Sequence, residues 1–406
     1  MISIDAAAVS AYRHRCFTIR CAASLFVLAI FFCSPPSWTT PQKPKKLPRS
    51  KRLNDALVLH RDAAGELRAT ARAAHPETPA ASSSVVMRLR AQTNLVEVNC
   101  NVLRADGSQV RELGQEAFRV FEDGAQQRIA HFDAAREPAS LVVLIDSSPS
   151  VLPDLVQMKR AARALAAQIS PVDEVAVAAF GGETRLLLPF TRDRAELEQV
   201  IDSVKLDLGQ GSNIYQAIYL VAHELFPRRA GRKALLLVTD GQDSGLGLSW
   251  SPGSAQPQSG ANRDRLSFED VARALGEQGI ELHVISTQPR PRAMTEAWLA
   301  SHAGASLIND KAPASGMPHY TLYLAELVRR AGGRIYFLHE IGSLADIYQR
   351  IAAQLTAQYT LGYYPAAGSS KPGWHSLSVA VVTAGQAGAP VSTVRHRPAY
   401  YLPPMP

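Results

Sequence analysis

The stretch SLVVLIDSSPS, residues 140–150, decides the fold of this chain. Its apolar half does not alternate with polar residues, which is typical of a strand covered on both faces of a parallel sheet. The stretch ends in Asp146, Ser148 and Ser150, so a carboxylate and two hydroxyls follow the carboxyl end of a buried strand. Ligands of doubly wound sheets bind at that end. The stretch therefore predicts an α/β sheet with a polar site at its edge.

Strand-like and helix-like segments alternate after this stretch. The order is LVQMKRAARALAAQI (helix), DEVAVAAFGG and TRLLLPF (strands), RAELEQVIDSV and IYQAIYLVAHELF (helices), KALLLVTD (strand), FEDVARALGEQGI (helix) and ELHVIST (strand), followed by TLYLAELVRRAGG, RIYFL and LADIYQRIAAQL. Such alternation predicts a mainly parallel sheet wrapped by helices, with right-handed crossovers. We therefore predict an α/β, doubly wound, Rossmann-like domain over residues 138–357.

Short alternating runs with turn signals between them flank this domain. VVMRLR, LVEVNCNVL and FRVFED predict a small β unit over residues 85–137, and QYTLGYYP, WHSLSVAVVT and VSTVRHRPAYYL predict a β segment over residues 358–406. Because both units flank the α/β domain, we expect them to pack against each other.

The amino-terminal region has the layout of an export signal. Arg13, Arg15 and Arg20 precede the apolar run CAASLFVLAIFFC, which is shorter than the roughly 20 residues that span a membrane. We predict a signal peptide or signal anchor over residues 1–34, and hence a periplasmic, membrane-anchored or extracellular protein. Whether the signal is cleaved or tethers the chain to a membrane stays open, and the alternative is a buried helix of a cytoplasmic protein. Residues 35–84 are predicted to be a basic, Pro/Ala-rich linker.

The charge distribution argues against a nucleic-acid partner. The formal net charge of +7 arises within residues 1–80, which hold 12 Lys/Arg and 5 Asp/Glu, and the rest of the chain is balanced. The main body therefore offers no net field to a polyanion.

Three widely spaced segments place oxygen ligands at the ends of predicted strands. Asp146, Ser148 and Ser150 follow one buried strand, Asp240 follows the buried run ALLLVT, and Ser212 lies in a Gly-rich turn before a helix. A buried acid needs a partner, and one metal ion would serve both carboxylates. Two carboxylates and three hydroxyls are hard ligands, which suit Mg²⁺ best, with Mn²⁺ or Ca²⁺ as alternatives, and do not suit zinc.

The set Asp146-x-Ser148-x-Ser150, Ser212 and Asp240 resembles the metal-ion-dependent adhesion site of von Willebrand factor A domains. The resemblance implies that the hydroxyls coordinate the ion directly or through water, that the aspartates act largely through water, and that an acidic residue of a protein partner completes the shell. The segments around the domain are similar to a group of exported bacterial proteins called VWFA-related, over about residues 90–400.

Two positions depart from the family pattern. Ser212 stands where threonine is usual and keeps the oxygen, and Pro149 stands where glycine is common, which fixes its own φ and favours extended geometry for Ser148. A vestigial site that no longer binds metal is the alternative.

The function that these features predict is divalent-metal-dependent protein binding, in adhesion or complex assembly, at the bacterial envelope or outside it. Insertions over residues 241–265 and 288–318 leave from the same edge of the sheet, so Trp250 and Trp298 are predicted partner contacts, the alternative being local packing. Asp243 and Asp310 are predicted to be surface residues. The other readings are a metal-independent scaffold and, less favoured, a hydrolase or phosphatase. An enzyme is not expected, because GxSxG, HExxH, CxxC and GxxxxGK[ST] motifs are absent.

Overall fold

A computed structural model describes residues 49–403 of the chain apart from internal gaps. The gaps are 55–56, 62–66, 72–94, 105–108, 111, 135–137, 169, 209–210, 228, 230, 244–265, 296–297, 299–318, 339–358, 366–370 and 383–390. The predicted signal segment, Trp250, Asp310 and the predicted helix LADIYQRIAAQL lie outside the described residues. None of the helices in the described part is long and apolar enough to cross a membrane.

A seven-stranded sheet forms the centre of the α/β domain. With strands numbered in chain order, its spatial order is β1 (Lys51–Arg52), β10 (Thr184–Thr191), β9 (Glu174–Phe180), β8 (Ala139–Asp146), β11 (Arg232–Thr239), β12 (Ile280–Ser286) and β13 (Ile335–Phe337). The five strands from β9 to β13 in this order are parallel, whereas β10 and β1 are antiparallel additions at one edge. All eight residues of β8 are buried, as its unbroken apolar sequence predicts.

Helices cover both faces of this sheet. They are α1 (Leu155–Gln168), α2 (Arg194–Ser203), α3 (Ile214–Glu224), α4 (Phe268–Gln278) and α5 (His319–Ala331). The first two pack on one face and the other three on the opposite face, so two separate apolar layers enclose the strands. The predicted α/β fold is therefore confirmed.

Local sequence signals begin and end these helices. Asp193 accepts hydrogen bonds from the first turn of α2, and Ser267 with Asp270 forms a reciprocal capping box at the start of α4. Helix α4 ends at Gly279, which has a φ of 64°, a left-handed conformation that glycine adopts without steric penalty.

The two β-rich flanks form one sandwich. One sheet has the order β16 (Val391–His396), β4 (Val96–Arg104), β14 (Tyr359–Tyr363) and β7 (Ile129–Asp133), and the other has the order β17 (Ala399–Leu402), β15 (Gly373–Val381), β5 (Phe118–Glu122) and β6 (Ala125–Gln127). Each sheet combines strands from before and after the α/β domain, and the two sheets share an apolar core. The expectation that the flanks pack against each other is confirmed, and the pairing goes further, because their strands hydrogen-bond directly.

The sandwich packs against α4 and the end of α5. A Cβ on Gly276 of α4 would lie 2.9 Å from the Trp374 ring, and a Cβ on Gly332 would lie 2.7 Å from the Cα of Arg397. The guanidinium carbon of Arg273 lies 4.9 Å from the centroid of the Tyr401 ring. The absence of side chains at the two glycines therefore permits this close approach.

The linker prediction is wrong for part of residues 35–84. Strand β1 pairs with β10, and the following Leu53 is fully buried in the core of the central sheet. The strands β2 (Leu57–Arg61) and β3 (Leu67–Ala71) form an antiparallel hairpin. The basic composition conceals an edge strand, since charged residues are common on the exposed edges of sheets.

Candidate metal centre

The carboxylate of Asp146 is fully buried at the carboxyl end of β8 and is held by three hydrogen bonds. Its Oδ1 accepts from the backbone N–H of Ser148 at 2.9 Å and from the Ser148 hydroxyl at 2.6 Å, and its Oδ2 accepts from the Thr239 hydroxyl at 2.6 Å. Thr239 is the last residue of the neighbouring strand β11. The carboxylate therefore has a defined orientation at the edge of the sheet.

The loop after Asp146 brings its two motif serines together. Ser148 has extended backbone geometry, with φ −62° and ψ 159°, as expected for the residue that precedes a proline. Pro149 opens a short 3₁₀ turn, Pro149–Val151, where the missing N–H breaks no internal hydrogen bond. The hydroxyl oxygens of Ser148 and Ser150 lie 3.0 Å apart. Since the Ser148 proton goes to Asp146, Ser150 donates to Ser148. The loop therefore brings the two serines together with Pro149 between them.

Asp240 follows β11 directly and is 1% exposed. Its Oδ1 accepts from the backbone N–H of Gln242 at 2.9 Å, whereas its Oδ2 is buried and has no hydrogen-bond partner among the described residues. Burial and, to a smaller extent, the charge of Asp240 raise the pKa of Asp146 from 3.8 to about 6, although the hydrogen bonds from Ser148 and Thr239 act to lower it. Two buried carboxylates thus repel each other, and one oxygen of Asp240 lacks a hydrogen-bond donor in the described part of the chain. A cation between the two carboxylates would stabilise this arrangement.

Ser212 reaches the same edge through the loop that precedes α3. Asn213 donates its backbone N–H to the Gly181 carbonyl at 3.1 Å and its side-chain amide to the Gly182 carbonyl at 3.0 Å, directly beyond β9. On the other side, the backbone N–H of Ile214 donates to the Asp243 carboxylate at 3.3 Å, beyond β11. The buried Ser212 is therefore held between the ends of the strands that flank β8.

Two other residues named in the sequence analysis, Trp298 and Asp243, lie in the described part of the chain. Trp298 is partly buried and packs against the hydrophobic core, which agrees with the alternative that it serves local packing. The prediction that Asp243 is a plain surface residue is wrong, because Asp243 is half-buried and accepts from the first turn of α3.

Thr239 is a site residue that the sequence reasoning missed. Its hydroxyl donates to Asp146 and accepts from the backbone N–H of Gly241 at 3.0 Å. A hydroxyl at the final position of a buried apolar strand was the available signal. Its partner depends on the register between β8 and β11, in which Val238 lies opposite Ile145.

Exposed apolar side chains flank the polar site, and we call Leu152, Val156 and Leu208 the apolar rim. They are 62%, 61% and 83% exposed. Leu152 follows the 3₁₀ turn and Val156 lies in the first turn of α1, while Leu208 follows Asp207, whose backbone N–H donates to the Ser147 carbonyl at 2.7 Å. Exposed apolar side chains that lie together mark a candidate surface for protein binding.

The donor chemistry fits a hard divalent cation. The candidate ligands are all oxygens, two of them from buried carboxylates, and one carboxylate oxygen lacks a hydrogen bond in the described part of the chain. Oxygen ligands of this kind suit Mg²⁺, Mn²⁺ and Ca²⁺. Asp146, Ser148, Ser150, Ser212 and Asp240 are the residues that would hold such an ion.

Comparison with known proteins gives one family match. Residues 141–242 match the family model described as von Willebrand factor type A domain. The match includes the Asp146 loop, Ser212 and Asp240. No curated protein matches the chain.

Solved structures are similar over about half of the chain. An aerotolerance-related membrane protein from Bacteroides fragilis shares 18% identity, with 53% of this chain and 98% of that chain covered and a TM-score of 0.37. The vWF domain of a type V pili tip protein from Porphyromonas gingivalis shares 13% identity, with 54% and 95% covered and a TM-score of 0.37. Proximal thread matrix protein 1 from the mussel byssus, with a zinc-occupied MIDAS motif, shares 15% identity, with 58% and 49% covered and a TM-score of 0.38. At TM-scores this low, the assignment of the domain stands on the family model.

Proposed function

Because this chain carries a von Willebrand factor type A domain, we propose that it binds a protein partner through a divalent cation held at the edge of its central sheet. A domain of this family suggests a role in protein interaction or adhesion. The observation that carries the proposal is the buried Oδ2 of Asp240, which lacks a hydrogen-bond partner in the described part of the chain, beside an Asp146 whose pKa is raised to about 6.

Mg²⁺ is the cation that we propose, with Mn²⁺ and Ca²⁺ as alternatives. The candidate ligands include only two carboxylates, and the hydroxyl ligands carry no charge, so the bound ion would keep enough positive character to attract a carboxylate oxygen of the partner. The chain's own residues prepare this position. Thr239 and the backbone of Ser148 orient Asp146, and the turn that begins at Pro149 brings Ser150 beside Ser148.

The apolar rim narrows the chemistry of the partner. The three side chains of the apolar rim are well exposed. Covering an exposed aliphatic side chain with an apolar surface of the partner makes the binding free energy more favourable. We propose that the partner presents an acidic residue with apolar neighbours. The acidic residue would give orientation and metal dependence, and the apolar contacts would supply most of the binding free energy.

Binding, and not catalysis, is the activity that we propose. The Ser148 hydroxyl donates to Asp146 and contacts Ser150, and no histidine among the described residues contacts it. A serine nucleophile needs a general base within hydrogen-bonding reach. The export signal that the sequence predicts at the amino terminus supports our proposal of a location at the bacterial envelope or outside it, with a membrane tether if the signal is retained.

The first experiment measures Mn²⁺ and Mg²⁺ binding to the full chain by isothermal titration calorimetry. We expect one equivalent to bind to the unaltered protein and none to bind to Asp240→Asn, because the substitution removes a buried charge without changing the side chain's shape. Glu198→Gln is the matched control, since Glu198 is an exposed carboxylate on α2 and should leave binding unchanged. Equal affinity in all three proteins would rule out the site.

The second experiment tests the partner. The purified chain is used to capture proteins from an envelope extract with and without EDTA, alongside Asp240→Asn and a Leu208→Ser variant of the apolar rim. We expect EDTA and Asp240→Asn to abolish capture and Leu208→Ser to weaken it. Capture that EDTA does not affect would favour the metal-independent scaffold and contradict the proposal.

A further inference from the structure

A second group of metal-binding side chains lies in the β-sandwich. Glu122 ends β5, Asp123 follows it in the turn to β6, and His375 lies on β15, which pairs antiparallel with β5. Their ligand atoms all lie within 4.8 Å of one another. Because β5 precedes the α/β domain and β15 follows it, the group joins distant parts of the chain.

The hydrogen bonds of His375 define which ring nitrogen faces the carboxylates. Nε2 lies 2.7 Å from the backbone carbonyl oxygen of Lys371, which can only accept, so Nε2 carries a proton. In the neutral ring, Nδ1 therefore presents a lone pair, 2.8 Å from Oδ2 of Asp123 and 3.4 Å from Oε1 of Glu122. A lone pair that faces two carboxylate oxygens is repelled by them, so either a second ring proton or a metal cation must lie between the nitrogen and the carboxylates. Metal-bound histidines typically donate their other N–H to a backbone carbonyl in this way.

A proton on Nδ1 satisfies only one of the two carboxylates. Asp123 accepts this proton at 2.8 Å, and Glu122 Oε1 lies 3.4 Å from the same nitrogen, so one imidazolium charge faces two carboxylates. Glu122 is 1% exposed and has no ion pair to a lysine or arginine in the described ranges. The Tyr400 hydroxyl donates to Glu122 Oε1 at 3.2 Å, and Oε2 is buried without a hydrogen-bond partner among the described residues. A buried charge with so little compensation is costly. A divalent ion would neutralise both carboxylates at once.

The turn holds Asp123 in position for such an ion. Asp123 has a φ of 47° and is followed by Gly124 with a φ of 82°. Its Oδ1 accepts from the backbone N–H and the hydroxyl of Ser376, at 2.8 and 3.0 Å, so that Oδ2 is left to face His375. The Asp123 side chain is 51% exposed, which gives an ion access from solvent.

We propose that Glu122, Asp123 and His375 bind a zinc-class divalent cation that fastens β5 to β15. One imidazole and two carboxylates suit zinc better than they suit Mg²⁺, and water completes the tetrahedron. Asp123 and His375 are 252 positions apart, so the ion closes a very long loop of chain. Cys100, the cysteine of the described part, is free, so the metal would supply the cross-link that no disulfide supplies there.

The test uses the tag-free full chain with Asp240→Asn, which removes the site at the edge of the central sheet and keeps the two proposals separate. Zn²⁺ is titrated against a chromophoric chelator. We expect one equivalent to bind in this background, and His375→Gln to weaken binding by more than about 100-fold, since loss of a ligand exceeds the loss caused by an outer-shell change. His131→Gln, an exposed histidine on β7, is the matched control and should bind as before.

A second variant and a second readout guard against misfolding. Asp123→Asn keeps an oxygen for Ser376 and alters a half-exposed side chain, so it should fold and still lose Zn²⁺ affinity. Zn²⁺ should raise the melting temperature of the Asp240→Asn protein and not that of either double variant. Absence of Zn²⁺ binding in the Asp240→Asn background would overturn the proposal, since His375 would then hold only a proton. So would a stoichiometry that His375→Gln and Asp123→Asn leave unchanged.

Discussion

Replacing Asp146 with asparagine should make the metal-free protein more stable at neutral pH. Burial and, to a smaller extent, the charge of Asp240 together raise the pKa of this carboxyl from 3.8 to about 6. The folded protein therefore keeps the proton up to about pH 6, whereas the unfolded chain releases it near pH 4. The stability that Asp146 contributes is thus fully present below about pH 4 and is lost as the pH rises through about 6. Two pKa units correspond to about 3 kcal/mol.

Asparagine removes this effect because it has no proton to release. Its shape matches aspartate, its oxygen can still accept from Ser148, and its amide can donate to Thr239. The free energy of unfolding is measured by urea titration, in chelator, at several pH values from about 4 to about 7.5. The difference between Asp146→Asn and the unaltered protein should grow by up to about 3 kcal/mol over this range. Titrating groups that do not interact with Asp146 cancel in the difference, so the pH dependence that remains belongs to Asp146 and its neighbour Asp240.

Addition of Mg²⁺ completes the experiment. The ion should restore the stability of the unaltered protein at neutral pH and leave Asp146→Asn unchanged, since the variant lacks a charge that the ion needs. A difference between the two proteins that does not vary with pH would refute the electrostatic reasoning. Equal stabilisation of both proteins by Mg²⁺ would refute the assignment of Asp146 to the metal centre.

Three other substitutions test contacts that position the site or the sandwich. Thr239→Val should lower the free energy of unfolding in urea by about 1–3 kcal/mol, because Asp146 and the Gly241 N–H each lose a buried hydrogen-bond partner. Thr239→Ser keeps the hydroxyl and should retain most of this free energy. Equal stability of the two variants would contradict the role of the hydroxyl. Glu281→Gln should cost about 3 kcal/mol at neutral pH, because it leaves the buried Arg232 without its carboxylate. Burial would raise the pKa of Glu281, but Arg232 and His283 hold it at about 2. The stability that the Glu281 carboxylate contributes is therefore present above about pH 4.5 and is lost as the pH falls toward 2. If the free energy of unfolding varied with pH in the same way in Glu281→Gln and in the unaltered protein, this ion pair would not be the cause. Gly332→Ala should lower the melting temperature more than Gly124→Ala does. Both glycines have a φ near +80°, but only at Gly332 would the new Cβ lie 2.7 Å from a backbone atom, the Cα of Arg397. Equal losses of melting temperature would show that backbone strain alone accounts for the effect.

Some features of the fold follow from local pattern. Buried strands such as β8 read as unbroken apolar runs, and helices such as α4 carry their capping residues within the sequence. The positions of Asp146 and Asp240 at strand ends follow from the same runs, because a strand must end where its apolar run gives way to polar residues. Parallel strands then bring those ends to one edge of the sheet, so the candidate metal centre could be proposed before any coordinates.

Predictions from local composition were wrong where a residue's contacts come from a distant part of the chain. Residues 51–53 read as part of a basic linker, yet they join the edge of the central sheet and bury Leu53. Asp243 read as a surface residue, yet it accepts from the first turn of α3. In both cases the deciding contact comes from a segment that lies far away along the chain.

The amino-acid sequence by itself determined which residues end the buried strands, and hence the α/β class, the β-rich flanks and the candidate oxygen ligands of the first site. Only the tertiary structure decided which residues from different segments meet, as Thr239 meets Asp146 and as His375 meets Glu122 and Asp123. The physical reason is that periodicity and chain order act over a few residues, whereas strand register and sheet packing bring together groups separated by 93 or 252 positions.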